Sequence, residues 1–222
     1  MTWIDKHTHR LVVLADPDKL EAERLDAWLE RIRPLNPSII LVGGSYMDGG
    51  STDALVRKLK QHIDWPVILF PGDFAQLTPA ADAVLFLTLL SGRNPEYLAG
   101  QQVKAAPVIR QMQLPVIPTA YLLIDGGNMT TVQYITQTLP LPAGKPSLAV
   151  ATALAGQYMG MEAVYLEAGS GALRPVPLET VEQVARAVDI PVIVGGGIKD
   201  LALVEDYFRA GANWVVVGTL LE

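Results

Sequence analysis

PVIVGGGIKDLALVEDYFRAGANWVVVGT, residues 191–219, contains one complete repeat of the pattern that decides the fold. It begins with a short apolar run, Pro191 to Val194, which ends in three glycines and is followed by a helical segment from Leu201 to Ala210. A second apolar run, Trp214 to Val217, comes next and also ends in a glycine. Strand, helix and strand in this order predict two parallel strands joined by a helical crossover.

The same alternation extends over the rest of the chain. Most of the apolar runs are continuous rather than alternating, which is typical of strands covered on both faces. Eight strands are predicted: Arg10 to Ala15, Ser38 to Val42, Pro66 to Phe70, Ala83 to Leu87, Pro115 to Leu123, Ala163 to Glu167, Pro191 to Val194 and Trp214 to Val217. Helices are predicted over Leu20 to Arg33, Thr52 to Ile63, Pro95 to Gln111, Met129 to Thr138, Ser147 to Met159, Leu178 to Val188 and Leu201 to Ala210.

Eight such units favour a (β/α)8 TIM barrel, and the 222 residues fit a single domain, 1–222. The third helix is expected to be short or absent, because Phe74 to Pro79 is too short for one. Only three residues follow Thr219, so the terminal helix is expected to be absent, and Leu221-Glu222 could be native or a cloning remnant. A doubly wound open sheet remains the alternative, since periodicity does not show closure.

Composition narrows the class of protein. There are 17 basic and 23 acidic residues, giving a net charge of −6, and no basic cluster points to nucleic acid. The absence of cysteine excludes disulfides and thiolate metal sites. No apolar stretch approaches the roughly 20 residues of a membrane helix, and the N-terminus lacks a secretory signal. A cytoplasmic protein is expected.

Glycine turns follow the last three predicted strands. Barrels often bind phosphate with the loops after their final strands, because unpaired backbone N–H groups carry positive partial charge. A tight turn is the alternative explanation for each glycine alone, whereas three matched turns favour a phosphate site. The turns are Tyr165-Leu166-Glu167-Ala168-Gly169-Ser170-Gly171, Val194-Gly195-Gly196-Gly197-Ile198 and Val217-Gly218-Thr219.

Side chains with oxygen atoms that could bind a metal ion follow the first two predicted strands. Asp16 directly follows the first strand and Ser45 follows the second, so the two are expected to lie close together at the barrel mouth. A carboxylate and a hydroxyl suit Mg²⁺, which retains waters and takes phosphate oxygens from a substrate. Asp16 could instead cap the first helix, and capping is the predicted role of Asp18.

Glu167 ends the sixth strand immediately before the first glycine turn and is therefore a candidate general base. The alternative is a salt bridge to a Lys or Arg at the barrel mouth. Tyr165 lies on the same strand face, where its hydroxyl could hold a phosphate oxygen or the ring could only pack.

Taken together, these residues resemble the geranylgeranylglyceryl phosphate synthase family, including its bacterial heptaprenylglyceryl phosphate synthase relatives. The resemblance covers nearly the whole chain, and six blocks in the same order make it specific. They are Leu14 to Lys19, Val42 to Ser45, Ser91 to Pro95, Tyr165 to Gly171, Gly195 to Ile198 and Val217 to Thr219.

The resemblance implies a Mg²⁺-dependent prenyltransferase that joins sn-glycerol 1-phosphate to geranylgeranyl diphosphate and so makes an ether-lipid precursor. Asp16 and Ser45, where many members have Thr, would bind Mg²⁺, and Glu167 would accept the proton of the glycerol C3 hydroxyl. The prenyl chain would lie in a groove to which the Arg93 to Gln101 region and Tyr121 contribute. The implied glycerol 1-phosphate residues are Tyr165, Leu166, Glu167, Ala168, Gly169, Ser170, Gly171, Gly196, Gly197, Gly218 and Thr219, the last standing where relatives often carry Asn.

Three alternatives stay open at this point. The donor could be heptaprenyl diphosphate, the protein could be another phosphate-binding barrel synthase or isomerase, or it could be a barrel that has lost catalysis. The family resemblance also implies a homo-oligomer, and an apolar product implies peripheral membrane contact when it is released.

Overall fold

The computed structural model, which describes residues 3–20 and 24–221, is a closed barrel of eight parallel strands in sequence order. The last strand pairs with the first, with Arg10 opposite Trp214, so the barrel is confirmed and the open sheet is wrong. The strands are β1 (Arg10–Ala15), β2 (Ile39–Val42), β3 (Val67–Leu69), β4 (Ala83–Leu89), β5 (Val116–Leu123), β6 (Ala163–Glu167), β7 (Val192–Gly195) and β8 (Trp214–Val217).

The helices follow the predicted order, and most of them are shorter than predicted. The connection from β3 to β4 contains only a 3-10 turn, Phe74–Gln76, as its length predicts, and a 3-10 turn, Thr219–Leu221, follows β8. None of the helices within the described ranges is long and apolar enough to cross a membrane. The helices are α1 (Leu25–Ile32), α2 (Thr52–Leu59), α3 (Gln101–Met112), α4 (Thr131–Thr136), α5 (Pro146–Tyr158), α6 (Leu178–Ala187) and α7 (Ala202–Arg209).

The starts of α1 and α3 differ most from the prediction. The first predicted helix begins at Leu20, whereas α1 begins at Leu25, and residues 21–23 lie outside the described part of the chain. The predicted helix Pro95 to Gln111 begins as a π-helical turn, Glu96–Gly100, before α3 continues it.

The strands are continuously apolar because their two faces pack into two different hydrophobic cores. Side chains alternate across each strand, so Ile39 and Leu41 of β2 point into the barrel while Ile40 and Val42 pack against the helices. All four are fully buried. Both faces of the strand therefore require apolar residues.

Strand register assembles the candidate site. All eight strands run in the same direction, so their carboxyl ends share one rim of the barrel. Glu167 of β6 lies opposite Gly195 of β7, which in turn lies opposite Val216 of β8. The three glycine turns consequently leave the barrel side by side.

Candidate active site

The glycine turns form a concave surface lined by backbone amides. Gly196 and Gly197 have φ values of 81° and 68°, in the left-handed region that favours glycine. Within the described ranges, the N–H groups of Ser170, Gly171, Gly196 and Gly197 donate no hydrogen bond. Successive free amides in such turns bind anions, so this surface is a candidate phosphate pocket.

Glu167 lies beneath these turns at the end of β6. It is 5% exposed, and its Oε1 accepts a hydrogen bond from the Gly169 N–H at 2.7 Å. None of the described Lys or Arg side chains forms an ion pair with it. The carboxylate is thus held by the backbone that forms the pocket rather than by a salt bridge.

Burial changes the acidity of this carboxyl group. Desolvation raises the pKa of Glu167 to about 7, although the hydrogen bond from the Gly169 N–H partly opposes the change by favouring the ionised form. A carboxyl group with a pKa near neutrality is well matched to general base catalysis, because it is both available and sufficiently basic.

Tyr165 packs inside the barrel below Glu167. Its ring stacks on Phe70 with 5.0 Å between centroids and is tilted against Tyr121 at 5.5 Å. The ring is fully buried, and its hydroxyl has no hydrogen-bond partner within the described residues. Burial, with the Glu167 charge as a smaller cause, raises the pKa of Tyr165, so the phenol stays neutral. Tyr165 therefore supplies an apolar wall with one polar atom.

Asp16 and Ser45 lie across the same opening. Both line a cavity of about 390 Å³ together with Glu167 and the glycine turns. The side chain of Asp16 is 20% exposed, its Oδ2 lies 3.7 Å from Lys19 Nζ, and its Oδ1 accepts the Asp18 N–H at 3.1 Å. Two of the predicted oxygen ligands therefore share the cavity with the candidate base.

A divalent cation is compatible with this donor set. Nowhere in the described residues do three or more His, Cys, Asp or Glu side chains form a cluster that could enclose a metal. One carboxylate and one hydroxyl suit a hard cation that keeps most of its waters and binds substrate oxygens, as Mg²⁺ does with phosphorylated substrates.

Most of the predicted anion-binding residues contact the cavity. Leu166 and Ala168 do not, because their side chains point outward into the core between strands and helices. The residues that line the cavity are Tyr165, Glu167, Gly169, Ser170, Gly171, Gly196, Gly197, Gly218 and Thr219.

An apolar groove opens from the same cavity. It shares Ser45, Phe70 and Tyr121 with the cavity and continues between β4 and α3. Tyr97 and Gln101 line it, whereas Arg93 is exposed and donates to the carbonyls of Leu90 and Gly92 instead. The further apolar lining consists of Phe74, Leu77, Val84, Leu85, Phe86, Leu87, Leu89, Ala105, Ile109 and Val132.

Gln76 is a site residue that sequence reasoning missed. It is buried, its Nε2 donates to the Gly44 carbonyl at 2.8 Å, and its Oε1 accepts the Gly72 N–H at 3.1 Å. The amide thus ties the loops after β2 and β3 together beside Ser45. A single glutamine in a short loop carries no pattern that would have revealed this role.

The predicted capping role of Asp18 is wrong. Helix α1 begins at Leu25 and has no side-chain cap, so Asp18 lies too early in the chain to cap it. Its carboxylate accepts hydrogen bonds from the backbone of the loop after β2. Asp and Asn residues near a helix start commonly cap the helix, but the Asp18 carboxylate instead accepts backbone N–H groups that are distant in sequence.

The chain is a (β/α)8-barrel protein with a candidate phosphate site at its rim. The site combines an amide-lined pocket, a buried carboxylate of near-neutral pKa and an adjoining apolar groove. The chain belongs to the PcrB family, whose family model matches residues 2–222.

Named relatives are similar over nearly the whole chain. A geranylgeranylglyceryl phosphate synthase of Flavobacterium johnsoniae is 48% identical over 212 residues, which cover 96% of this chain and 87% of that protein. The synthase of Spirosoma linguale is 42% identical over 210 residues, covering 95% and 84%.

Solved structures of other proteins are also similar to this chain. The crystal structure of (S)-3-O-geranylgeranylglyceryl phosphate synthase from Thermoplasma acidophilum in complex with its substrate sn-glycerol-1-phosphate is 34% identical, with a TM-score of 0.89 over 97% of this chain and 87% of that one. A tryptophan synthase α-subunit from Pyrococcus furiosus, at 14% identity and a TM-score of 0.57, covers 99% of this chain and 89% of its own and shares the fold alone.

Proposed function

We propose that the protein is a prenyltransferase that joins sn-glycerol 1-phosphate to geranylgeranyl diphosphate through an ether bond and releases diphosphate. The names and bound substrate of its relatives support this reaction. The observation that carries the proposal is the apolar groove that opens directly beside the anion pocket at Ser45, Phe70 and Tyr121. sn-Glycerol 1-phosphate is small and anionic and matches the anion pocket. The prenyl chain of the donor is long and apolar and matches the groove.

Glycerol phosphate binds on the glycine turns in this proposal. The amides of Ser170, Gly171, Gly196 and Gly197 donate to the phosphate, and Gly218 and Thr219 complete the pocket. Glu167, directly below, then lies near the glycerol carbon chain. This arrangement positions a hydroxyl nucleophile next to a base.

The reaction needs charge stabilisation and positioning. The allylic C–O bond of the donor breaks, its electron pair leaves with diphosphate, and the C3 oxygen of glycerol bonds to the allylic carbon while its proton passes to Glu167. Asp16 and Ser45 would hold Mg²⁺, which neutralises charge on the leaving diphosphate when bound. Phe70, Tyr121 and Tyr165 pack against one another in the cavity lining and present an apolar surface to the reacting carbon.

A product assay tests the proposed function. Purified protein is incubated with Mg²⁺, sn-glycerol 1-phosphate and prenyl diphosphates of increasing length, and products are identified by mass spectrometry. We expect a geranylgeranyl ether, in line with the names of the relatives. A heptaprenyl ether as the main product would reassign the donor, whereas consumption of a phosphosugar without any ether would contradict the proposal.

The pH dependence of the reaction follows from Glu167. Because its pKa is raised to about 7 and the base must be ionised, kcat/KM should rise with pH up to about 7 and then level off. The phosphate of the substrate also titrates, with a pKa of about 6. In Glu167→Gln, the pH profile of the residual kcat/KM should keep the rise due to the phosphate and lose the rise due to Glu167. A wild-type profile already flat at pH values well below 7 would contradict this assignment.

Gly196→Ala should damage the phosphate pocket. Its φ of 81° is strained for any other residue, and an added Cβ would overlap Glu167 Oε1 and lie 2.6 Å from the Gly169 nitrogen. We expect the affinity for sn-glycerol 1-phosphate, measured by calorimetry, to fall by at least about tenfold, since amide donors and carboxylate are both displaced.

Gly160→Ala is the matched control for this change. Gly160 has a similar φ of 87°, but an added Cβ would meet nothing within 4 Å. This variant should lose a little thermal stability from backbone strain, roughly 1 kcal/mol, and keep its substrate affinity. Equal losses of affinity in the two variants would show that strain alone, and not the pocket, explains the result.

A further inference from the structure

Asp18 forms two hydrogen bonds that cross between neighbouring loops. Its Oδ2 accepts the Asp48 N–H at 2.7 Å, and its Oδ1 accepts the Gly50 N–H at 2.8 Å. Both donors belong to the segment between β2 and α2 (residues 43–51), which we call the β2–α2 segment. Both oxygens of a carboxylate are therefore used to hold backbone that lies about 30 residues away in sequence.

The segment held in this way carries Ser45. On its other side, Gln76 donates to the Gly44 carbonyl, so the segment is fixed from the loops that follow both β1 and β3. Next to Ser45, Gly44 lies against Asp16, since an added Cβ there would be 3.3 Å from Asp16 Oδ1. The Asp18 N–H also donates to Asp16 Oδ1. Asp18 thus links Asp16 to the segment that carries Ser45.

Gly50 allows the close approach that these bonds require. A Cβ on Gly50 would lie 2.5 Å from the Pro17 carbonyl oxygen and 2.6 Å from Asp18 Oδ1. The Gly50 N–H can therefore reach the Asp18 carboxylate only because Gly50 has no side chain. Mutation of Gly50 or of Asp18 alters this contact from either side.

We infer that Asp18 is a positioning residue, which holds the β2–α2 segment so that Ser45 faces Asp16 across the donor-diphosphate end of the cavity. This inference rests on the proposed function, because it assigns that end of the cavity to Mg²⁺ and the prenyl diphosphate. Glycerol phosphate binds on the turns that follow β6, β7 and β8, and the hydrogen bonds of Asp18 to described residues do not reach these turns. The two substrates should consequently respond differently to loss of Asp18.

The test compares Asp18→Asn and Gly50→Ala with Asp48→Asn. Asparagine keeps the size of Asp18 but turns one acceptor into an N–H₂ group that faces an N–H donor. Asp48→Asn makes the same change of charge in the same segment, and the exposed side chain of Asp48 forms none of the contacts described. Its backbone N–H, which is the group that Asp18 accepts, is unchanged.

The first measurement is amide hydrogen exchange of the intact protein without Mg²⁺ or substrates. Exchange of the β2–α2 segment should become about 10- to 100-fold faster in Asp18→Asn, the range expected when a hydrogen bond to a charged group is lost. Gly50→Ala should accelerate the same segment, and Asp48→Asn should match the wild type. Unchanged exchange in Asp18→Asn would overturn the inference.

The second measurement separates positioning from general destabilisation. In Asp18→Asn and Gly50→Ala, we expect the KM for the prenyl diphosphate and the Mg²⁺ concentration for half-maximal rate to rise about three- to tenfold, corresponding to a lost or weakened hydrogen bond. The KM for sn-glycerol 1-phosphate should stay within about twofold, since its pocket is untouched.

Equal increases for both substrates would indicate a merely structural role and would overturn the inference. If the wild-type protein makes no ether at all, the proposed function fails instead. The exchange comparison then still decides whether Asp18 holds the β2–α2 segment.

Discussion

Glu167→Gln should reduce turnover by about 10²- to 10⁴-fold, the usual contribution of a general base, and leave the affinity for sn-glycerol 1-phosphate within a few-fold of wild type. Glutamine keeps an oxygen that can accept the Gly169 N–H, so the turn above it is preserved. It has no basic lone pair that can accept the proton of the glycerol C3 hydroxyl. Single-turnover kinetics and calorimetric binding of glycerol phosphate measure the two effects separately.

The same substitution should raise stability above neutral pH. The pKa of Glu167 is higher in the folded protein, at about 7, than the ordinary value of 4.5, so the folded state holds this proton more tightly. Its contribution to stability is therefore full below about pH 4.5 and declines as the pH rises to about 7. Glutamine cannot ionise, so the Tm difference in favour of Glu167→Gln should grow over this range.

Low activity together with a higher Tm would exclude misfolding as the cause of the loss. A Glu167→Gln variant with near-normal turnover would remove Glu167 from the role of base. Comparable loss of glycerol phosphate binding would instead make it a binding residue.

Asp16→Ala should abolish Mg²⁺-dependent use of the prenyl diphosphate, with a loss of at least about 10²-fold, since charge neutralisation by a bound cation contributes several kcal/mol. The carboxylate of Asp16 also accepts the Asp18 N–H, and its removal would loosen the loop. Asp16→Asn keeps an acceptor for that N–H and loses only the charge, so it should be nearly as inactive.

A Mg²⁺ titration of both Asp16 variants is the decisive measurement, with glycerol phosphate affinity as the control. That affinity should be preserved, because the backbone amides proposed to bind the phosphate belong to Ser170, Gly171, Gly196 and Gly197 of the turns after β6 and β7, which are not neighbours of β1. Unchanged activity across the titration would remove Asp16 from the metal site. Activity in Asp16→Asn but not in Asp16→Ala would assign it a structural role.

Local sequence patterns were sufficient for the strands and for part of the site. Apolar runs such as Ala163 to Glu167 predicted strands because a strand buried on both faces admits few polar residues, and β6 has these bounds. The period of two along the strand placed Tyr165 and Glu167 on one face, and both line the cavity. Glycines after three consecutive strands indicated the anion pocket, because the carboxyl ends of parallel strands meet at one rim.

By itself, then, the sequence determined the order of strands and helices and the residues that can reach the rim, since these depend on interactions between near neighbours. Tertiary structure alone decided closure between β1 and β8, the pKa of Glu167 and the hydrogen bonds of Asp18 and Gln76. It also decided that the apolar groove meets the anion pocket at Ser45 and Tyr121. Each of these depends on groups that are distant along the chain and adjacent only after folding, where burial and partner choice have no local signature.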